Sequence, residues 1–276
     1  MKFNRVYVEI TNICNMNCSF CHGHSRAPQR MSREEFALVL KKVQGLTRYI
    51  YFHLMGEPLL HPDLPLFIKQ AKENGLLPVI TTNGTLLAKR KEEIIASGVH
   101  KISVSLHSFE GGDRRAHEKY LEEVADFARA ASASGIIVVL RLWNKGADDT
   151  LNSAVIDFLR SRIDGEWTPN TKGIRIHDKL HLEWGDRFEW PDKNAPVQDN
   201  DVFCYGLRDH FGILCDGTVV PCCLDSDGVI NLGNIFESDI EGILSSPRAQ
   251  KIKEGFDCRK AVEALCKKCG YAKRFK

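Results

Sequence analysis

Cys14, Cys18 and Cys21 lie within eight residues of one another, spaced C-x3-C-x2-C. Three thiolates with no fourth ligand beside them form an unusual donor set. Structural zinc sites and saturated [4Fe–4S] carriers take every metal position from the protein. Three cysteines around a four-iron cube leave one iron open, and an open iron is a place for chemistry. Half of a zinc site is the other chemistry this spacing permits.

The remaining cysteines are far away. Of ten in 276 residues, three fall in 14–21, none in the next 182 residues, and seven in 204–269. A net charge of +2, with 43% hydrophobic and 27% charged residues, describes an ordinary globular chain and makes no case for nucleic acid or an anionic membrane. The sequence shows neither a signal-peptide pattern nor an apolar run of membrane-spanning length. A cytoplasmic address is expected, and there clustered cysteines mean metal or redox chemistry, because disulfides do not persist. In the C-terminal group the spacing is Cys204-x12-Gly217-x4-Cys222, then Cys266-x2-Cys269. Residues 213–222 read as a hairpin turning at Asp216-Gly217. Cys215 reads as a small buried strand residue. Cys258 has no evident partner, and Cys223 rivals Cys222 as a ligand.

Between the two groups the chain alternates strands and helices. Strand patterns occupy 5–11, 49–54, 77–82, 101–106, 136–143 and 173–177. Helical patterns occupy Ser32–Val43, opened by the capping box Ser32-x-x-Glu35, and Asp63–Asn74, Leu86–Ser97, Asp113–Ser134 and Asp148–Arg162. Six β-loop-α units predict an α/β fold with a parallel sheet: a partial (β/α)6 TIM-like barrel with a small C-terminal Fe–S domain, its site at the C-terminal strand ends. A doubly wound sheet has the same periodicity. The expected division is a barrel over 1–177, a linker covering its mouth over 178–203, and a cluster domain over 204–276.

The C-x3-C-x2-C loop follows the first strand, and Phe20 precedes its third cysteine. This pattern resembles the signature of the radical S-adenosylmethionine superfamily. The resemblance implies a [4Fe–4S] cluster on Cys14, Cys18 and Cys21, with S-adenosylmethionine on the open iron. Reductive cleavage then gives a 5′-deoxyadenosyl radical that takes hydrogen from the substrate. It also implies an electron donor of the flavodoxin or ferredoxin type. Met55-Gly56-Glu57-Pro58 resembles the family's GGEP stretch, with Met55 in place of the first glycine, and assigns Gly56, Glu57 and Pro58 to the cofactor. Thr82 and Asn83 after strand three, Ser103 and Ser105 on strand four, and Arg141 on strand five fall where the family lines its cofactor pocket.

The C-terminal hairpin, Leu232-Gly233-Asn234-Ile235 and the closing C-x2-C resemble SPASM and twitch domains. Full SPASM domains bind two clusters through seven motif cysteines. Here seven residues without cysteine follow Cys269. The resemblance therefore implies one auxiliary [4Fe–4S] cluster on Cys204, Cys222, Cys266 and Cys269, closed by four thiolates. A structural zinc site is the alternative there.

The cysteine layout resembles that of single-auxiliary-cluster dehydrogenases, which implies two-electron oxidation of a small, hydroxylated, sugar-like substrate. A peptide or protein side chain is the alternative substrate, and an Fe–S electron carrier or zinc-binding module is the alternative that is not an enzyme. Arg175, His177, His181 and Glu183, clustered after strand six, are the candidates for a substrate base or anchor.

Overall fold

The computed structural model describes residues 2–109, 114–147 and 149–275. Asp113 and Asp148, the expected first residues of two helices, lie outside the described residues. Five parallel strands pair in chain order: β1 (Arg5–Val8), β2 (Tyr49–Tyr51), β3 (Leu77–Thr82), β4 (Lys101–Ser105) and β5 (Ile137–Lys145). Helices α1 (Arg33–Val43), α2 (Leu64–Glu73), α3 (Leu87–Ser97) and α4 (Arg114–Ala133) connect them, and α5 (Asn152–Arg160) follows β5. The capping box forms as the sequence predicts: the Ser32 hydroxyl accepts from the Glu35 amide, and the Glu35 carboxylate accepts from the Ser32 amide.

The sixth parallel strand is not the expected one. Residues 173–177 do form a strand, β7 (Gly173–His177), but it is antiparallel to both its neighbours, β6 (Thr168–Asn170) and β8 (Leu180–Asp186). β8 completes the parallel series beside β5. Only two residues separate β7 from β8, too few for the crossover a parallel pair needs, so the two must form a hairpin. β8 lies inside the segment expected to be a linker. Its Leu180 and Leu182 are fully buried while His181 and Glu183 alternate with them. That is a half-buried strand whose polar face disguises it.

The C-terminal segment joins the same sheet. β9 (His210–Ile213) pairs parallel with β1, and β10 (Val219–Val220) turns back antiparallel, giving the order β10-β9-β1-β2-β3-β4-β5-β8-β7-β6. The boundary drawn at 204 thus cuts through one continuous sheet of ten strands. The sheet is open, with β10 and β6 at its edges, so the barrel is partial. Helices α6 (Ile240–Leu244) and α7 (Pro247–Asp257) complete the C-terminal region.

Strand alternation sorts the residues. Val6, Val8, Ile50, Phe52, Val104 and Leu140 are fully buried in the main apolar cluster, which also takes in helix residues such as Phe36 and Phe67, stacked at 4.1 Å. Removing either ring would cost about 3–5 kcal/mol. The opposite face carries Arg5, Tyr7, Tyr51, His53, Lys101 and Ser103, which line a cavity of about 480 Å³.

Candidate active site

The three-cysteine loop leaves the end of β1 and is pinned at its base by two polar side chains. The Thr11 hydroxyl donates to the Gln29 carbonyl at 3.1 Å; the Asn12 side chain donates to the Ala27 carbonyl at 2.8 Å and accepts from the Gln29 amide at 2.7 Å. Between these pins Cys14 and Cys21 are exposed and Cys18 is half-buried. A tight turn joins the last two, the Cys21 amide donating to the Cys18 carbonyl. The loop is held from outside as well. The Cys18 thiol contacts the Ser108 carbonyl after β4, Phe20 packs on His107 at 4.8 Å, and the Trp190 indole donates to the Phe20 carbonyl at 3.0 Å.

The end of β2 passes directly beneath this loop. Gly56 has φ +75°, and a Cβ there would lie 2.3 Å from the Thr11 carbonyl oxygen, so only glycine permits the approach. Glu57, next in sequence, is fully buried. Its carboxylate accepts from the Thr82 hydroxyl at 2.7 Å and from the amides of Asn83 (2.7 Å) and Leu59 (3.0 Å). Burial pushes its carboxyl above the usual range, and the three hydrogen bonds oppose that shift. Glu57, Thr82 and Asn83 therefore form one clamp joining the ends of β2 and β3. Asn83 continues toward the loop: its side-chain amide donates to Asn15 Oδ1 at 3.0 Å and lies 3.9 Å from the Cys14 sulfur. Pro58 is buried at the start of a short 3-10 turn.

Ser103 and Ser105 are buried on the inner face of β4. Ser105 is the register partner of Arg141 on β5. The Arg141 guanidinium lies over the Trp143 ring at 3.4 Å and donates weakly to the Thr81 hydroxyl at 3.4 Å, while its Nε has no partner. Burial lowers it to about 10. An incompletely bonded guanidinium on a cavity wall is suited to receive an oxygen-bearing ligand.

Of the four residues named as base or anchor, Glu183 alone lines this cavity. His181, with Lys101 and Lys172, lines a separate hollow beside β8. Arg175 is exposed and paired with Asp178 at 2.9 Å. His177 meets Ser132 of α4 at 3.3 Å. A register shift between Arg175 and His177 removes the common face expected of them.

Strand alternation hid the residues that do line the cavity. Arg5 and Tyr7 on β1, Tyr51 and His53 at β2, and Lys101 on β4 are polar positions at period two inside strand runs, which is the signal that could have found them. His53 stands out. Its Nδ1 is buried without a partner, and burial together with Arg141 and Arg5 lowers the ring to about 3, so the imidazole is neutral.

The far wall of the cavity is built from Cys204, Cys222, Cys223, Cys266 and Cys269. The hairpin delivers Cys222 as expected. Gly217 turns it with φ +82°, and a Cβ there would lie 2.5 Å from Asn234 Oδ1. The Gly233-Asn234-Ile235 stretch locks the turn: the Asn234 amide donates to the Asp216 carbonyl at 2.7 Å, and the Ile235 amide to the Gly217 carbonyl at 2.8 Å. Cys215 is fully buried.

Among the described residues, no three or more His, Cys, Asp or Glu converge as a single-ion site. The thiols do act on one another. Burial raises Cys204, to about 11, and also Cys222, Cys266 and Cys269, and Cys222 is pushed up further by Cys223 first and then by Cys204, Cys266 and Cys269. Thiols gathered on one cavity wall are the donor type that an iron–sulfur cluster takes. Cys223 stands on the same wall beside Cys222 and also has a hydrogen bond with the Tyr7 side chain.

Comparison with known proteins agrees with this geometry. The family model of the radical SAM superfamily matches residues 8–144, and that of an iron–sulfur cluster-binding domain, SPASM, matches residues 204–270. A probable GTP 3′,8-cyclase of Sulfurisphaera tokodaii is 36% identical over 294 aligned residues, covering 92% of this chain and 91% of the relative. Among solved structures, BtrN in complex with AdoMet and 2-DOIA superposes with a TM-score of 0.61 at 18% identity, covering 97% of this chain and 92% of BtrN. SuiB of Streptococcus suis bound to S-adenosylmethionine gives 0.64 at 18% identity, covering 98% and 72%. At that identity the two structures share the fold.

Proposed function

The chain belongs to the radical S-adenosylmethionine superfamily and carries a SPASM-type auxiliary domain, and from that premise we propose that it oxidises a small, hydroxylated, sugar-like substrate by two electrons, with one auxiliary [4Fe–4S] cluster accepting an electron. S-adenosylmethionine, a [4Fe–4S] cluster and an auxiliary iron–sulfur cluster are its cofactors. When bound, the first cluster and S-adenosylmethionine supply a 5′-deoxyadenosyl radical that abstracts hydrogen.

The chain's own residues divide the remaining work. Cys14, Cys18 and Cys21 hold the open cluster; Cys204, Cys222, Cys266 and Cys269 hold the closed one. The clamp of Glu57, Thr82 and Asn83, with Gly56 and Pro58, shapes the cofactor seat beneath the loop. Ser103, Ser105 and Arg141 offer donors to the cofactor's carboxylate or ribose. Glu183 is the one earlier candidate for substrate base on the cavity wall, and neutral His53 joins it there. An electron donor of the flavodoxin or ferredoxin type would reduce the cluster held by the exposed loop.

One observation carries the small-molecule reading: a cavity of about 480 Å³ runs from the barrel strands to the auxiliary cysteines. That is a small-molecule volume, and its wall places substrate beside the proposed electron acceptor. A second reading, ring closure on a guanine nucleotide, is favoured by the relatives named as probable GTP 3′,8-cyclases and by the cationic lining of Arg5, Lys101 and Arg141.

The test is anaerobic reconstitution with iron and sulfide, then reaction with S-adenosylmethionine, dithionite and a small-molecule extract of the source cells, with a parallel arm containing GTP. Formation of 5′-deoxyadenosine together with loss of two hydrogens from a single small compound is expected. Conversion of GTP instead, or modification of a peptide alone, overturns the dehydrogenase reading.

A further inference from the structure

Glu9 is the first residue beyond β1 and is fully buried. Its carboxylate meets three separate parts of the molecule. Arg26, just past the cysteine loop, forks onto both oxygens, Nη1 to Oε1 and Nη2 to Oε2, each at 2.7 Å. The Met55 amide, at the end of β2 beside the cofactor seat, donates to Oε2 at 3.1 Å. The Cys215 amide, in the auxiliary hairpin, donates to Oε1 at 3.3 Å. Arg26 adds a fourth attachment, its Nε donating to the Ser226 carbonyl at 2.8 Å, and the neighbouring Ser25 amide donates to Asp227 at 2.7 Å.

We propose that the Glu9–Arg26 pair is a positioning strut that fixes the separation and orientation of the two iron–sulfur sites. The argument is one of geometry. Two of the three thiols of the cysteine loop are exposed, and the loop is tied at its base by Thr11 and Asn12 and at its flank by Asn83 and Trp190. The auxiliary hairpin belongs to a segment more than 180 residues later in the chain. A planar guanidinium bonded to both oxygens of one carboxylate fixes direction as well as distance, which a point charge does not. Because that same carboxylate also holds one amide from the β2 end and one from the hairpin, movement of any of the three parts strains the other two. Electron transfer between substrate and two clusters depends on such fixed spacing, so a half-buried ion pair is placed where its directional value exceeds its stabilising value.

The proposal rests on the two cysteine ligand sets given above, and its test requires no substrate. The reconstituted holoenzyme and the variants Arg26→Ala, Arg26→Lys and Glu9→Gln/Arg26→Gln are fully reduced, and the magnetic interaction between the clusters is read by electron paramagnetic resonance. Amide exchange at Met55 and Cys215 is followed in the same samples. The wild type should show one defined interaction. Arg26→Ala should spread or abolish it and speed exchange at both amides, whose Glu9 acceptor then loses its fixed direction, about tenfold, the scale of one weakened hydrogen bond. Arg26→Lys, which keeps the charge but not the fork, should fall between. Should Arg26→Ala fail to fold around an unpaired carboxylate, the double variant, with no buried charge, carries the same expectation. An unchanged interaction with unchanged exchange at Met55 and Cys215 overturns the strut. Iron near eight atoms per chain in each variant, as two four-iron clusters require, shows that the ligand assignment stands even where the strut fails.

Discussion

The two cysteine regions reach iron–sulfur chemistry by opposite routes. The N-terminal one is local: three thiols on a single loop, two of them exposed, spaced by sequence alone. The C-terminal one is assembled: four half-buried thiols from residues 204, 222, 266 and 269, brought together by a hairpin, a locked turn and the chain's last 3-10 segments. A local loop can present three ligands outward and leave a metal position for a cofactor. Thiols delivered from three places, Cys204, Cys222 and the Cys266–Cys269 turn, can between them offer four ligands and leave no position open. Openness and closure are thus properties of how the ligands are delivered as much as of how many there are.

The sharpest way to break this comparison is to remove one thiol from each region. Cys14→Ala should abolish 5′-deoxyadenosine formation. Cys222→Ala should retain that cleavage while losing conversion of substrate. Each should drop iron from about eight to about four atoms per chain. Identical behaviour of the two variants would erase the division into an open and a closed site.

Two further buried carboxylates that accept from backbone amides, Glu57 beside the first region and Asp225 in the second, give a second, smaller contrast. Glu57 holds the Asn83 and Leu59 amides plus the Thr82 hydroxyl; Asp225 holds the amides of Val229 and Ile230 at 2.9 and 2.8 Å. Glu57→Ala orphans three buried donors and should cost about 1–3 kcal/mol, read by denaturant unfolding; Asp225→Ala orphans two and should cost less. The pH response of Glu57 has a definite sign. Its folded carboxyl sits above the unfolded value, so the native state retains a proton that the unfolded chain has lost. Stability falls as pH rises from the unfolded value through the folded one, then levels off. Glu57→Gln should flatten that part of the profile, and a profile that keeps its slope would show that another group is responsible.

Much of the fold was legible because strand and helix periods survive in apolar residues. Ile102 and Val104 on β4, or Val138 and Leu140 on β5, announce a strand whatever stands between them. β8 was not legible, because its inner positions carry His181 and Glu183 and its sequence looks polar on average. The cysteine loops were legible because metal spacing is local. The cavity wall was not. Arg5, Tyr7, His53 and Lys101 meet only after four strands, β1 to β4, are laid side by side, and no spacing within one segment reports that. Glu9 and Arg26 fall between these cases. They are 17 residues apart, but their partners Met55 and Cys215 arrive by topology.

A last pair of effects, the smaller of them the smallest expected anywhere in the two regions, comes from two asparagines that perform the same task. Asn12 ties the base of the cysteine loop by donating to Ala27 and accepting from Gln29; Asn234 ties the hairpin turn by donating to Asp216 and accepting from the Phe236 amide at 2.8 Å. Asn12 is buried, whereas the Asn234 pair of bonds is near solvent. Water replaces the second set readily and the first poorly. Asn12→Ala should therefore cost about 1–3 kcal/mol and Asn234→Ala about 0.5–1 kcal/mol, measured by urea unfolding of the holoprotein. The order matters more than the values, because an exposed loop has few other contacts to hold its thiols in place. Asn12→Ala should also lose the first cluster's iron under mild chelation while Asn234→Ala keeps the second. The reverse order would mean that the assembled site, not the local one, is the fragile half of this molecule.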